Sequence, residues 1–487
     1  MNKPLRRIAI FCGLLMVALM VRSNWIQFAQ GDELRNDPKN RRVAIERYGQ
    51  PRGNIIVDGK AITGSKETEG TDFKYKRTYK NGEMWAPVTG YASQAYGATQ
   101  LESIYDGILT GDDDRLFFNR TIDMFTGKDQ KGGNVVTTLD ADVQKAGFEA
   151  MGDKKGAAVA INPETGAILG LVSTPSYDPS SFAGNSSKDA KAWSRLQKEN
   201  NEDEPMLNRA LRQTYPPGST FKVVTAAAAL ESGMYDIDEK TDTPDPYRLP
   251  QSTTDLGNDG NHPCENASLR VAMQWSCNTV FAKISDELGN EKMIEYSERF
   301  GFNQEHFVPV RAVESVYPED NRPQNAMAGI GQASNRATPL QMAMVAAAVA
   351  NDGKMMEPYM MDQLVAPSLN VVEEHKPREL GEVASAENAQ KLQQMMETVV
   401  EKGTGTPAQI DGVTVGGKTG TAQHGENNEK NPYAWFISYA KTSDGSTPIA
   451  VAVVIESADV LRDDIAGSKL AAPVAKAMME AALDGRR

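Results

Sequence analysis

The sequence predicts an α+β fold behind an apolar N-terminal segment, and three observations carry the prediction. Apolar runs of strand length stand at both ends of the region that begins near Val135, long stretches with helix start and stop signals lie between them, and Gly, Pro, Asn and Asp punctuate the joins. One sheet is then assembled from pieces distant in sequence.

A chain of 487 residues is too long for one ordinary core and divides into about two to four domains. With 40% hydrophobic and 24% charged residues, 41 Gly and 25 Pro, it is neither disordered nor collagen-like. The net charge of −13 comes without a basic stripe, which argues against nucleic acid as a partner. Four His and three Cys are scattered without the paired spacings of a zinc site, so any acyl or hydrolytic chemistry belongs to other residue types.

The N-terminus carries Lys3, Arg6 and Arg7, then an unbroken apolar run over 8–21, then Trp25, Ile26 and Phe28. Residues 1–31 therefore read as a cytoplasmic N-terminus and a transmembrane signal-anchor, with the rest outside the cytosol; cleavage near Ala29-Gln30-Gly31 is the alternative. In that compartment Cys264 and Cys277 are free to pair, the other reading being two buried thiols.

Residues 32–133 are polar and rich in Gly, Lys, Tyr and Thr, with short alternations such as Asn54-Ile55-Ile56-Val57 ended by Asp58-Gly59, and read as strands and turns of a non-catalytic module. A third unit, 134–487, opens on a strand over 135–139, and Asp140 caps the helix that follows through Met151. The runs 157–161 and 167–172 form a hairpin across Asn162-Pro163-Glu164-Thr165-Gly166. Helices are predicted over 220–231, 269–288, 340–350 with Thr338 as N-cap and Pro339 in the first turn, and 386–401. Strands over 435–440 and 449–456 and a helix over about 470–483 close the chain.

Three short segments hold the residues suited to acyl chemistry. In Tyr215-Pro216-Pro217-Gly218-Ser219-Thr220-Phe221-Lys222, prolines end an extended stretch and the serine opens a helix. Positions three apart share a helix face, so Lys222 reaches the Ser219 hydroxyl, and the helix N-terminus places partial positive charge beside an emerging alkoxide. A lysine is a base only when neutral, which requires burial or a second cation. The spacing alone is weak evidence: a capped helix with a solvated lysine has the same pattern, and Ser438 with Lys441 repeats it in a strand, where residues three apart face opposite ways. Ser276-Cys277-Asn278 offers a hydroxyl to relay a proton and an amide to hold a carbonyl; Ser368-Leu369-Asn370 fits the same pattern and reads as a loop. Lys418-Thr419-Gly420-Thr421 supplies a cation, two hydroxyls for a carboxylate, and a Gly that lets a substrate approach a strand edge.

In this order the three segments resemble the signatures of active-serine penicillin-binding proteins and β-lactamases. The likeness extends from Val135 to Glu456 through Ile161-Asn162-Pro163-Glu164-Thr165-Gly166, Gly329-Ile330-Gly331-Gln332 and Thr338-Pro339-Leu340-Gln341, and is to class B enzymes; Ala333 stands where many relatives carry Gly. Upstream, Arg52-Gly53-Asn54-Ile55, Val88-Thr89-Gly90-Tyr91, Tyr96-Gly97 and Leu101-Glu102 resemble the pedestal, or dimerisation-like, domain of the actinobacterial penicillin-binding protein A type. The resemblance implies an antiparallel sheet flanked by helices, with a mostly helical subdomain, behind a β-rich pedestal and one membrane helix.

It also implies a peptidoglycan D,D-transpeptidase of cell wall synthesis in growth or division. Ser219 would attack the penultimate D-Ala carbonyl of a stem peptide, with Lys222 as its base, Ser276 passing the proton to the departing D-Ala, and Asn278 holding the substrate amide and the lysine. Lys418, Thr419 and Thr421 would hold the carboxylate beside Gly420, and the N–H groups of Ser219 and Thr421 would form the oxyanion hole. β-Lactams would acylate the same serine, and no metal or organic cofactor is required. The expected partner is a polytopic glycosyltransferase of the shape, elongation, division and sporulation family. A bridge from Cys264 to Cys277 would tie a loop to the active-site wall. The rival readings are a D,D-carboxypeptidase or β-lactamase, in which water takes the acyl group, and a non-catalytic β-lactam sensor or division scaffold. The upstream module and anchor favour the transpeptidase, and the intact Ser219, Lys222, Ser276, Asn278 and Lys418 speak against a relic site.

Overall fold

The computed structural model describes residues 3–35, 41–69, 72–117, 131–198, 201–425 and 428–484. A single helix, Lys3–Ala29, occupies the N-terminus with none of its residues buried, and among the described residues it alone is long and apolar enough to cross a membrane.

The next region mixes short strands with helices. Ile55–Val57 turns through Asp58 and Gly59, both at positive φ, into Lys60–Ala61. Helices Gly82–Thr89, Gln100–Ile104 and Asp106–Thr110 stand where the residue pattern suggested strands and turns. Gly82–Thr89 is buried at every position but Glu83 and so shows no polar face, and Pro87 and Gly90 read locally as breakers, while Gln100–Ile104 and Asp106–Thr110 are too short to show a helical period. Glu102 is fully buried between two guanidinium groups, accepting from Arg77 Nε at 2.5 Å and pairing with Arg52 Nη2 at 3.0 Å. A carboxylate tolerates such burial only when paired on this scale. Ile55–Val57 also runs parallel to Asn134–Thr137, which pairs onward with Met361–Val365 and Val371–Glu374. This five-stranded sheet joins the upstream region to the C-terminal one.

A second five-stranded sheet forms the centre of the C-terminal region, in the order Thr414–Ala422, Tyr433–Lys441, Ile449–Ser457, Lys155–Ile161, Ile168–Thr174, with every neighbour antiparallel. Its hairpin at Asn162–Gly166 is closed by Asn162 Oδ1, which accepts from Glu164 N and Thr165 N. Alternate side chains face opposite ways. Ala158, Ala160, Phe436, Val451 and Val453 pack on the helices Ala141–Met151 and Ala472–Asp484, while Ala157, Val159, Ile437, Ala452 and Val454 face the helical subdomain. There the helix Pro339–Ala350 is buried along its whole length, and Thr338 Oγ1 accepts from Gln341 N at 3.1 Å as its N-cap. Asp140 likewise caps Ala141–Met151 through Asp142 N and Val143 N.

One predicted helix is broken. The stretch 269–288 forms Leu269–Trp275 and Asn278–Leu288, separated where Ser276 adopts φ 60° and ψ 41°. A left-handed residue cannot continue a right-handed helix. The break turns the Ser276 side chain towards two lysines from other elements.

Candidate active site

Ser219 lies in the tight turn Gly218–Phe221 that leads into the helix Lys222–Glu231. The turn is fixed from several sides. Trp435 Nε1 donates to Pro216 O at 3.0 Å, Thr220 Oγ1 to Pro217 O at 2.7 Å, and Gly218 N to Gly331 O at 2.9 Å. The last contact needs glycine: a Cβ on Gly331, which has φ +74°, would sit 2.1 Å from Gly218 O. Ser219 opens into a cleft of about 660 Å3 lined also by Asn278, Thr421, Gln332 and Arg336.

Lys222 and Lys418 are both fully buried. Lys222 Nζ donates to Ser276 O at 2.7 Å, to Asn278 Oδ1 at 2.7 Å and to Ser276 Oγ at 3.2 Å. Lys418 Nζ donates to the same Ser276 Oγ at 2.8 Å and to Thr419 O at 2.9 Å. One hydroxyl thus bridges two buried amines. Burial lowers the pKa of Lys222 well below the ordinary lysine value, and the Lys418 charge lowers it further, against a smaller opposing pull from Asp259. Burial lowers Lys418 to about 7. Two ammonium groups in one dry pocket repel each other, so the arrangement favours one neutral amine beside one cation. Among the described residues Lys222 Nζ makes no hydrogen bond to Ser219 Oγ, the contact that the helical spacing predicts; its three acceptors are Ser276 O, Ser276 Oγ and Asn278 Oδ1.

Lys418-Thr419-Gly420-Thr421 lies in the edge strand Thr414–Ala422, with Lys418 opposite Ile437 and Thr421 opposite Ala434. Its outer edge is unpaired by any strand of the sheet, and Thr421 lines the cleft. Thr419 Oγ1 shares a 2.6 Å hydrogen bond with Thr404 Oγ1. Gly420 packs on the nucleophile turn, where a Cβ would meet Thr220 Cγ2 at 3.0 Å. Cys264 and Cys277 form a disulfide, which anchors the 257–264 loop beside Ser276 and Asn278. The chance copies lie elsewhere. Ser438 is buried within Tyr433–Lys441, where Lys441 Nζ reaches Gln393 Oε1, and Ser368 sits in the turn between Met361–Val365 and Val371–Glu374.

This geometry agrees with what comparison finds. Residues 156–480 match the family described as the penicillin binding protein transpeptidase domain, and residues 52–135 the penicillin binding protein A dimerisation domain. The chain belongs to the penicillin-binding protein transpeptidase family. It is 40% identical to the peptidoglycan D,D-transpeptidase PbpA of Mycobacterium tuberculosis over all of both chains. To PbpA of Mycolicibacterium smegmatis it is 39% identical over 99% of each. Penicillin-binding protein A from M. tuberculosis, as its ceftriaxone acyl-enzyme complex, superposes with a TM-score of 0.85 at 39% identity, covering 90% of this chain and all of that one. The expected class B penicillin-binding protein of the A type, with its transpeptidase fold, is therefore borne out.

Several residues of the site carry no motif. Asn258 Oδ1 accepts from Asn278 N at 2.6 Å and Thr279 N at 3.1 Å, capping the second half of the broken helix from the tethered loop. The Gln332 amide, oriented to donate to Gln423 O and accept from Gln423 N at 3.2 Å each, ties the Gly-x-Gly-Gln segment to the end of the edge strand. Arg462 holds the loop beyond that strand through Gln423 Oε1, Asn428 O and Lys430 O. Asn258 and Thr404 stand in loops and Arg462 opens a single short turn, Arg462–Asp464, and none of the three belongs to a motif that would single it out in the sequence.

Proposed function

We infer that this chain is a peptidoglycan D,D-transpeptidase in which Ser219 is the nucleophile. The observation that carries the reading is the sharing of Ser276 Oγ by Lys222 and Lys418 beside the cleft that Ser219 opens into. Neutral Lys222 takes the Ser219 proton, and Ser219 Oγ bonds to the penultimate D-Ala carbonyl carbon of a donor stem. The oxyanion accepts from the N–H groups of Ser219 and Thr421, which cost no reorganisation as charge develops. The C–N bond then breaks, and the proton held by Lys222 passes through Ser276 to the departing D-Ala amine. Cationic Lys418, with Thr419 and Thr421, holds the terminal carboxylate, and Asn278 orients both Lys222 and the substrate amide. An acceptor amine next attacks the ester carbonyl, returns a proton along the same path, and leaves a cross-link with Ser219 restored. The ceftriaxone acyl-enzyme complex of the mycobacterial relative supports acylation of this chain by β-lactams.

The units proposed for these tasks are an anchor over 1–31, a pedestal over 32–133 and a transpeptidase domain over 134–487. The anchor crosses the cell membrane once and leaves the catalytic domain outside the cytoplasm. Its partner is a polytopic glycosyltransferase that supplies nascent glycan; replacing the anchor, residues 1–31, with an unrelated membrane helix should impair function in cells while sparing acylation, and full complementation would refute a partnership through the anchor. Incubation with a donor pentapeptide and an amine acceptor tests the activity itself. The cross-linked dimer is expected as the main product, and tetrapeptide alone would make the protein a hydrolase.

A further inference from the structure

The cleft contains a cation that the reaction described above does not use. Arg336 lines it beside Gln332 and His424. Its main chain is fixed by exchange with Val316 (N to O at 2.9 Å, O from N at 2.7 Å), and the next residue, Ala337, exchanges two hydrogen bonds with Tyr215 at the head of the nucleophile segment. The side chain is half-buried, and Nη1 spends both of its protons on its own loop, donating to Ala333 O at 2.9 Å and Asn335 O at 2.7 Å. Among the described residues Nε and Nη2 make no hydrogen bond and the guanidinium has no ion pair. The nearby acid Glu456 is committed elsewhere, to Lys155 Nζ at 2.9 Å, Arg209 Nε at 3.5 Å and Tyr215 OH at 3.1 Å.

Burying a charge without a counter-charge is costly, and here burial lowers the Arg336 pKa. The Nε and Nη2 protons left over form the flat edge of the guanidinium, which matches the two oxygens of a carboxylate. We propose that Arg336 is a specificity-determining residue whose Nε and Nη2 edge binds a second carboxylate of the stem peptide, separate from the terminal D-Ala carboxylate held at Lys418. The assignment rests on the transpeptidase reading. The carboxylate belongs to a residue of either the donor or the acceptor stem, and the chemistry of recognition is the same for both.

The test uses the full chain in detergent with matched peptides that carry an internal side-chain carboxylate or its carboxamide, presented first as donors and then as acceptors. Wild type should prefer the carboxylate by about tenfold or more in one of the two arms, the scale of a hydrogen bond to a charged partner. Arg336→Gln should erase that preference, read as the ratio of the carboxylate rate to the carboxamide rate on the same protein, in which any loss common to both substrates cancels. Arg336→Lys, which keeps the charge but loses the fork, should retain only part of it and serves if the glutamine variant fails to fold. Loss confined to the donor arm assigns the carboxylate to the donor stem, and loss confined to the acceptor arm assigns it to the acceptor. A wild type blind to the carboxamide change would overturn the proposal, as would an Arg336→Gln protein that slows carboxylate and carboxamide peptides alike. Absence of any penicillin adduct on wild type would overturn the transpeptidase reading, and this assignment with it.

Discussion

Ser276→Ala removes one oxygen and separates catalysis from stability. Ser276 Oγ accepts from Lys222 Nζ at 3.2 Å and from Lys418 Nζ at 2.8 Å. Each hydrogen bond to a charged group is worth about 1.5–3 kcal/mol, so loss of both would at first sight cost about twice that. The actual cost is smaller, because Lys222 keeps Ser276 O and Asn278 Oδ1, and Lys418 keeps Thr419 O and, lowered to about 7, sheds its proton near neutral pH. Melting should then move by a few degrees at most. Acylation should fall about a hundredfold to ten-thousandfold, the usual worth of a positioned proton carrier. Stopped-flow acylation by a fluorescent penicillin, with a melting curve on the same sample, measures both. A Ser276→Ala protein that acylates within about threefold of wild type would refute the relay, since a true proton carrier is worth far more.

Three further predictions concern the same framework. Acylation requires Lys222 neutral and Lys418 cationic, so kcat/KM for carboxylate-bearing substrates should rise as pH climbs through the depressed Lys222 value and fall as Lys418, lowered to about 7, loses its proton, while Lys418→Arg, if acylated, should lose the falling limb; a wild-type profile with no falling limb would contradict the assignment. Gly331→Ala should destabilise the protein and slow acylation more than Gly412→Ala, because both glycines have φ +74° but only the first would drive a Cβ to 2.1 Å from Gly218 O; equal melting temperatures would show that the contact relaxes freely. Cys264→Ser opens a link between residues 13 apart and should cost about 2–4 kcal/mol, with slower acylation because Cys277 sits between Ser276 and Asn278; unchanged melting and acylation would mean that the Asn258 cap alone holds the loop.

What was legible in the sequence is what local physics determines. Asp140 and Thr338 cap the helices expected of them, since a cap is a bargain between neighbours in the chain. The strands 435–440 and 449–456 lie within Tyr433–Lys441 and Ile449–Ser457, because their apolar runs have strand length and turn residues around them. Motif order sufficed to name the candidate residues, and the fold brings Lys222, Ser276, Asn278 and Lys418 into mutual contact. The break at Ser276 was not legible. Ser276 and Cys277 fit a helix locally, and the left-handed turn is held by partners far along the chain: Lys222, Lys418, Cys264 and Asn258. The direction of the Lys222 ammonium was hidden for the same reason. So were the helices around Trp85 and Leu101, whose buried faces meet partners from distant segments.

The central claim is that Ser219 is acylated and that the acyl-enzyme outlives attack by water. Intact mass of the chain after exposure to penicillin, followed over hours beside Ser219→Ala, tests both parts at once. The account predicts one adduct per chain on wild type, none on Ser219→Ala, and slow release. An adduct that persists on Ser219→Ala, or no adduct on either protein, would contradict it, and release within minutes would leave a hydrolase in place of a transpeptidase.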